Sequence, residues 1–404
     1  MSTSLLYHAF AIRGYQYVRT EYGEGEVRFH VKHQRETWCC SACGARDVSP
    51  RGCVERRLRT VPVGRKPVWV VLPIPRLECQ RCGVIRQAAI GFADPRVSYT
   101  RAFARYALEL LRHMTIQDVA DHLNVSWDVI KEIQRAHLMR RFARPKLKHL
   151  RQIAIDEISI GKGHRYLTLV LDLESGAVVF VGDGKGADAL RPFWSRLRSS
   201  GAKIKAVAID MSPAYIEAVL SHLPRAKIVF DHFHIIKLYN EKLSDLRRQV
   251  YHELTDVLQK KVLKGTRWLL LMNPENLDKK KNEPQRLKEA LDLNAPLFVA
   301  YYLKEQLRQL WEQPDKKAAR ECLQGWIELA EFSGVRMLQK FARTLTFHRE
   351  GILAWYDYPI STGPLEGKNN KIKTMKRQAY GFRDHEFLKL KILGIHETKY
   401  ALVG

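Results

Sequence analysis

Three carboxylates stand where they can hold metal against a phosphodiester. Asp156 in IAIDE and Asp210 in VAIDM lie in apolar, β-type runs, and Glu366 in STGPLEGKNNKIK opens a basic helix. Hard divalent cations take oxygen ligands, and a pair of them stabilises both the attacking and the leaving oxygen of an in-line phosphoryl displacement. The pattern points to phosphodiester chemistry with Mg2+ or Mn2+, two ions per site. Glu157 is left out, because successive side chains of a strand point to opposite faces. Pro364 suits a first helical turn, from which Glu366 projects, and Asn370, Lys373 and Arg377 follow at helical spacing on one face.

A second set of ligands lies near the N-terminus. Cys40-x-x-Cys43 and Cys79-x-x-Cys82 each offer two thiolates from a tight knuckle, and together they suit one tetrahedral, structural Zn2+. Cys39 and Cys53 are spare thiols, and either can replace one of the four. A third motif, TIQDVADHLNVSWDVIKEIQ, fits a helix-turn-helix. Ala120 is the small residue at the helix crossing, Asn124 suits the left-handed turn and Ser126 is placed to cap the second helix. Val119, Leu123, Val125, Ile130 and Ile133 form its core, which leaves Trp127, Lys131, Gln134 and Arg135 for a major groove.

These residues require particular elements to position them. Strand-like runs at 151–160, 165–173, 177–182, 204–209 and 226–231, with helices near 187–199 and 213–222, predict a mixed sheet flanked by helices. If the first and fourth strands are neighbours, as in ribonuclease-H-like sheets, Asp156 and Asp210 share a metal. The class is multi-domain α+β. The expected order is a β-rich zinc module over 1–90, a helix-turn-helix domain over 91–142, and a linker over 143–150. The first part of a catalytic domain then runs over 151–234, an all-helical insertion over 235–355, and the remainder, carrying Glu366, over 356–404.

Lys and Arg number 68 against 43 Asp and Glu in 404 residues, a formal charge of +25, so a polyanionic partner is expected. No apolar run is long enough for a membrane span, and the N-terminus has no secretory pattern. A soluble, cytoplasmic, nucleoid-associated protein with reduced cysteines is expected. Trp268, Trp311, Trp326 and Trp355 fit core packing better than base stacking.

Taken together, the cysteine pairs, DVADHLNVSWDVIKEIQ, IAIDEISIGKGHRYLTLVLDL, VAIDMSPAY, VFDHFHIIK and STGPLEGKNNKIKTMKRQAYGFRD resemble bacterial insertion-sequence transposases of the ISL-three type. The resemblance implies a ribonuclease-H-like fold interrupted by a helical insertion, with Asp156, Asp210 and Glu366 as ligands of the catalytic metals. It also maps an acidic residue followed three positions later by histidine onto Asp231 and His234, as auxiliary active-site residues. The expected activity is metal-dependent cleavage and strand transfer at terminal inverted repeats of double-stranded DNA, in a homodimer or larger assembly that also engages target DNA. Lys368, Lys371, Lys373, Lys376 and Arg377 then follow phosphates, beside Asn370. The alternatives are a non-enzymatic DNA-binding regulator, and a nuclease that cuts without joining.

Overall fold

The computed structural model describes residues 5–161, 163 and 165–397. Residues 1–4 and 398–404 of the first and last expected segments, and Lys162 and His164 of the GKGHRY motif, lie outside the described residues. The chain forms two compact units, one of residues 1–143, 374–391 and 397–404, the other of residues 144–373 and 392–396.

The first unit opens with helix α1 (Leu5–Phe10) and a sheet of β1 (Tyr15–Gly23), β2 (Glu26–His33), β3 (Val48–Val63), β4 (Lys66–Cys79) and β5 (Ile85–Gln87). Its order is β1-β2-β4-β3, with β5 on the end of β4; β2 and β4 are parallel and the other pairs antiparallel. Alternation explains the sheet: Val68, Val70, Leu72 and Ile74 of β4 are buried on one face, against Val27, Phe29 and Val31 of β2. Helices α2 (Arg101–Leu110), α3 (Ile116–Leu123) and α4 (Trp127–Phe142) follow. They are joined to the sheet by Arg59, which is buried, donates from Nη2 to the Leu123 carbonyl at 2.9 Å, and lies between the rings of Trp69 and Phe103.

The second unit is built on β6 (Gln152–Gly161), β7 (Arg165–Asp172), β8 (Val178–Asp183), β9 (Ala206–Ile209) and β10 (Lys227–Phe230), in the order β10-β9-β6-β7-β8. β6, β7 and β8 form an antiparallel meander, whereas β9 and β10 run parallel to β6. The parallel strands need crossovers, supplied by α5 (Arg191–Ser200) and α6 (Pro213–His222). Short, wholly apolar β9 (AVAI) is buried along its length, as a central parallel strand must be. Beyond β10, every regular element among the described residues is helical: α7 (His232–Glu253), α8 (Val257–Lys264), α9 (Arg267–Leu271), α10 (Glu283–Asp292), α11 (Ala295–Arg308), α12 (Lys316–Phe332), α13 (Arg336–Phe347), α14 (Arg349–Leu353), α15 (Gly363–Gln378) and α16 (His385–Leu393), with short 3-10 turns between. Trp326 is buried and donates to the Leu303 carbonyl at 2.7 Å, as a core tryptophan should. Trp311 and Trp355 are half-buried, but Trp268 is 65% exposed and departs from the core expectation.

The helices meet the sheet through a close contact. A Cβ at Gly351 of α14 would lie 2.4 Å from the ring of Phe230, the residue that precedes Asp231. Gly351→Ala should therefore destabilise the protein by about 1–3 kcal/mol through overpacking. Gly325→Ala in α12, where nothing lies within 4 Å, should stabilise it by about 0.5–1 kcal/mol through helix propensity alone. Thermal or urea unfolding of the two variants checks the opposite signs.

Candidate active site and metal centre

The parallel register brings the strand carboxylates together. β6 and β9 pair up to Ala154↔Ala208, so two residues further on Asp156 stands opposite Asp210. β9 and β10 pair up to Ile209↔Phe230, so the next position sets Asp210 opposite Asp231, whose N–H donates to the Ile209 carbonyl at 3.2 Å. Three carboxylates thus stand level, Asp210 and Asp231 just past the C-terminal ends of β9 and β10 and Asp156 midway along β6, beyond the last residue it pairs with β9, close to the usual place for function in such sheets. Burial pushes the Asp156 carboxyl above its ordinary value; the Glu157 N–H and the nearby His234 work against this, and the charges of Asp210 and Glu157 add to it. Glu157 faces the other way, as alternation requires, and accepts from the Tyr215 hydroxyl at 2.6 Å and the Gly186 N–H at 3.1 Å.

Helix α15 is fastened to this edge at two points. Thr362, just before it, donates to Asp231 Oδ2 at 2.6 Å, and Asn369 Nδ2 donates to Asp156 Oδ2 at 2.9 Å. Glu366 lies one turn from each along the chain; its N–H donates to the Thr362 carbonyl at 3.0 Å and its side chain is exposed. His234 donates from Nδ1 to Asp231 Oδ2 at 2.9 Å. Sequence reasoning missed Thr362 and Asn369. The available signal was their spacing of four before and three after Glu366, together with the apolar phase of Leu365, Ile372 and Met375, which are buried along with Asn369. Asn370, Lys373 and Arg377 share the exposed face, whereas Lys368, Lys371 and Lys376 are half-buried and Lys371 donates to the Ile395 carbonyl.

The four chosen thiols converge. Ligand atoms of Cys40, Cys43, Cys79 and Cys82 lie within 4.8 Å of one another, and Cys39 and Cys53 stand outside the cluster. The knuckles are duplicates: Cys40 N–H bonds to Ala45 O and Gly44 N–H to Cys40 O, as Cys79 N–H bonds to Val84 O and Gly83 N–H to Cys79 O. Gly44 and Gly83 both take positive φ, which a C-x-x-C-G turn reserves for glycine. Backbone N–H groups of Cys43 and Ala42 bring the Cys40 thiol down to about 6, whereas Cys82, despite the Val84 N–H, is pushed up to about 11 by the neighbouring sulfurs. Such a set suits a tetrahedral structural zinc that replaces the thiol protons. Among the described residues, no three carboxylate or histidine side chains gather as closely.

In the helical pair, Thr115 and Asp118 form a capping box, Asn124 adopts φ 49° at the turn, Val119, Ala120, Leu123, Ile130 and Ile133 are buried, and Val125, expected in the core, is half-buried. Two expectations need correction. Ser126 occupies the cap position of α4 without a capping side-chain bond. Gln134 is buried, 6% exposed, because it follows Ile133 on the inward face of a helix whose apolar stripe is wide, and so it is unavailable to a groove. Trp127 is exposed, while Lys131 and Arg135 both reach Asp384, at 3.0 and 3.1 Å.

Comparison with known proteins assigns these parts. Residues 153–392 match a family model described as a transposase, residues 88–138 the helix-turn-helix domain of transposase family ISL3, and residues 36–82 the zinc finger of transposases of IS204, IS1001, IS1096 and IS1165. The chain is 35% identical over 386 residues to the transposase for insertion sequence element IS1001 of Bordetella parapertussis, covering 94% of this chain and 95% of that one. It is 27% identical over 376 residues to the transposase for element IS1557 of Mycobacterium tuberculosis, with 86% and 83% covered. Among solved structures, the Drosophila P element transposase strand transfer complex aligns with a TM-score of 0.32 and 12% identity, over 66% of this chain and 81% of that one, too distant to carry an argument. The protein belongs to the ISL3 family of insertion-sequence transposases, with a zinc finger and a DNA-binding helix-turn-helix ahead of its transposase domain. No helix of the described residues is long and apolar enough to cross a membrane.

Two measurements follow from these sites. Cys79→Ser should reduce bound zinc from about one per chain and lower the unfolding temperature, as metal analysis and calorimetry would register. The Asp231–His234 pair gives a pH signature. Its hydrogen bond to Asp231 raises the His234 pKa against the effect of burial; burial raises Asp231, but bonds from His234 and Thr362 outweigh it and leave the carboxyl lowered. A raised histidine stabilises the fold below its unfolded value and loses that effect as pH rises through the folded one; a lowered carboxyl stabilises above its unfolded value and loses that effect as pH falls through the folded one. The contribution is therefore greatest between about pH 4 and 6.5, the two unfolded values. In metal-free buffer, the difference in unfolding temperature between wild type and His234→Asn should be widest in that window and shrink by about pH 9. A difference that grows with pH would contradict the pairing.

Proposed function

We propose that the protein cleaves DNA at the terminal inverted repeats of its own element and joins the freed 3′ ends to target DNA, using two Mg2+ or Mn2+ ions. The observation that carries this reading is the register that sets Asp156 abreast of Asp210, with Asn369 bonded to Asp156 from the helix that bears Glu366. The strand order β10-β9-β6-β7-β8 supports a ribonuclease-H-like core, and the helices from α7 to α14 support a helical insertion between its parts. Asp156 and Asp210 would hold one ion, and Asp156 with Glu366 the other. Mg2+ keeps several waters and takes only one or two carboxylates beside substrate phosphates, so a pair of protein ligands per ion suffices. Bound there, the ions supply Lewis-acid stabilisation of the attacking and leaving oxygens.

The remaining work falls to the chain's own groups. Asn369 holds one oxygen of Asp156 and the Glu157 N–H the other, which fixes the carboxylate plane. Thr362 and His234 occupy Asp231, so that Asp231 keeps the start of α15 at the strand edge. In the first step water attacks the phosphorus at the element's end, a new P–O bond forms and the 3′ oxygen leaves as a hydroxyl. In the second step that hydroxyl attacks a target phosphodiester and displaces another 3′ oxygen, with no covalent protein–DNA intermediate. Exposed Asn370, Lys373 and Arg377 would follow the strand, with Lys368, Lys371 and Lys376 adding positive charge beside them. Lys131, Arg135 and Trp127 of the helix-turn-helix would read the repeat, in a cytoplasmic homodimer or larger complex that pairs two ends.

The test incubates the protein with a duplex copied from its own gene's flanking ends, a target plasmid and Mn2+. Joined products are expected from wild type, and cleaved but never joined ends would overturn strand transfer. Asp156→Asn, Asp210→Asn and Glu366→Gln should each abolish cleavage and leave end binding intact. Asn369→Ala should lower cleavage by about 10–100-fold, the usual effect of losing a group that orients a metal ligand.

A further inference from the structure

Helix α15 ends in a way that its stability does not explain. The Gly381 N–H bonds to the Lys376 carbonyl at 2.9 Å and the Tyr380 N–H to the Arg377 carbonyl at 3.1 Å, the two bonds of a Schellman cap. In that cap the left-handed position belongs to glycine, yet here it is Tyr380, at φ 50°, and the glycine follows one residue later at φ 102°. The Tyr380 ring is 100% exposed, so it recovers nothing by burial for the backbone conformation it occupies. An aromatic side chain at a costly backbone position, wholly in water, suggests use by a partner.

Its surroundings within the first unit indicate which partner. Residues 378–384 form one wall of an open cleft of about 1100 Å³, whose opposite wall is the helix-turn-helix itself. Thr115 and Gln117 contribute from the start of its first helix and Trp127 from the start of the second, opposite Tyr380, Phe382 and Arg383. Those helix starts are the parts of a helix-turn-helix that approach a duplex. Trp127 is 41% exposed with the Lys131 ammonium 5.1 Å from its ring, and Arg383 is exposed beside Tyr380, so the rim combines aromatic faces with positive charge. Base stacking on aromatic rings next to cations is the common chemistry of unpaired nucleic acid.

We infer that the turn at residues 379–384 is a second DNA-contacting element of the reader, in which Tyr380 stacks on a base that is unpaired or unstacked at the element's end. The inference rests on the proposed recognition of element ends by the helix-turn-helix. It assigns the cleft to DNA and not to a protein partner.

The test measures binding of full-length wild type, Tyr380→Phe and Tyr380→Gly to the end duplex and to a scrambled duplex over a salt series, with thermal unfolding of each protein. Tyr380→Gly should unfold at a higher temperature, because glycine suits the cap, yet bind the end duplex about tenfold or more weakly, the loss expected for one base–aromatic stack. The slope of log affinity against log salt should not change, because no phosphate contact is removed. Tyr380→Phe should bind as wild type does. Equal binding by Tyr380→Gly, or a loss that appears only as a reduced salt slope, would overturn the stacking role while end recognition stands. Failure of wild type itself to prefer the end duplex would overturn end recognition, and this inference with it.

Discussion

The structure of the candidate active site depends on the parallel pairing of two short strands, β9 and β10, with the first half of β6. Backbone hydrogen bonds lock β9 against β6 and β10 against β9, and that register sets Asp156, Asp210 and Asp231 level at one sheet edge. A slip of one residue would turn each carboxylate into the apolar core. Because β9 is apolar on both faces, its own side chains do not oppose such a slip; what opposes it is the cost of carrying these carboxylates onto the other, apolar face, so burial around the sheet also aims the acids. Burial has an electrostatic consequence as well. It raises the proton affinity of Asp156, and a divalent cation would relieve the resulting penalty on its charged form.

Helix α15 converts that edge into a site. Its inward stripe of Leu365, Ile372 and Met375 is buried, and the polar residues in phase with the stripe, Thr362 and Asn369, are the ones bonded to Asp231 and Asp156. Glu366, one turn from both Thr362 and Asn369, lies at the solvent-exposed border of that stripe. The fastening bonds and the exposed carboxylate therefore share one border of the helix, and the bonds hold that border at the strand edge.

The first unit is also held by a few buried contacts. Four cysteines gather beside the apolar core of its sheet, and buried Arg59 ties the sheet to the helix-turn-helix through the Leu123 carbonyl. Asp384 occupies Lys131 and Arg135, two cations that the helical pattern leaves pointing outward. Part of the helix's charge is thus balanced within the protein, and a phosphate backbone placed at α4 would have to compete with that carboxylate.

Much was legible in the residues alone because it is local chemistry. Cysteine spacing, the apolar runs of β6 to β10, and the small residue and asparagine of TIQDVADHLNVSWDVIKEIQ all act within a few residues of themselves, and the strands lie within two residues of the positions read from pattern. Glu157 could be set aside from alternation alone. The face of α15 was not legible in the same way, because a helix of mixed polarity admits several phases and only packing against the sheet selects Asn369 over Asn370. Gln134 went inward for a similar reason. The capture of Lys131 and Arg135 by Asp384, about 250 positions away in the chain, rests on contacts that no local pattern encodes. The sequence by itself determined which residues are able to bind metal and DNA. The tertiary structure decided which of them stand together, because only strand register and helix phase convert residue types into positions in space.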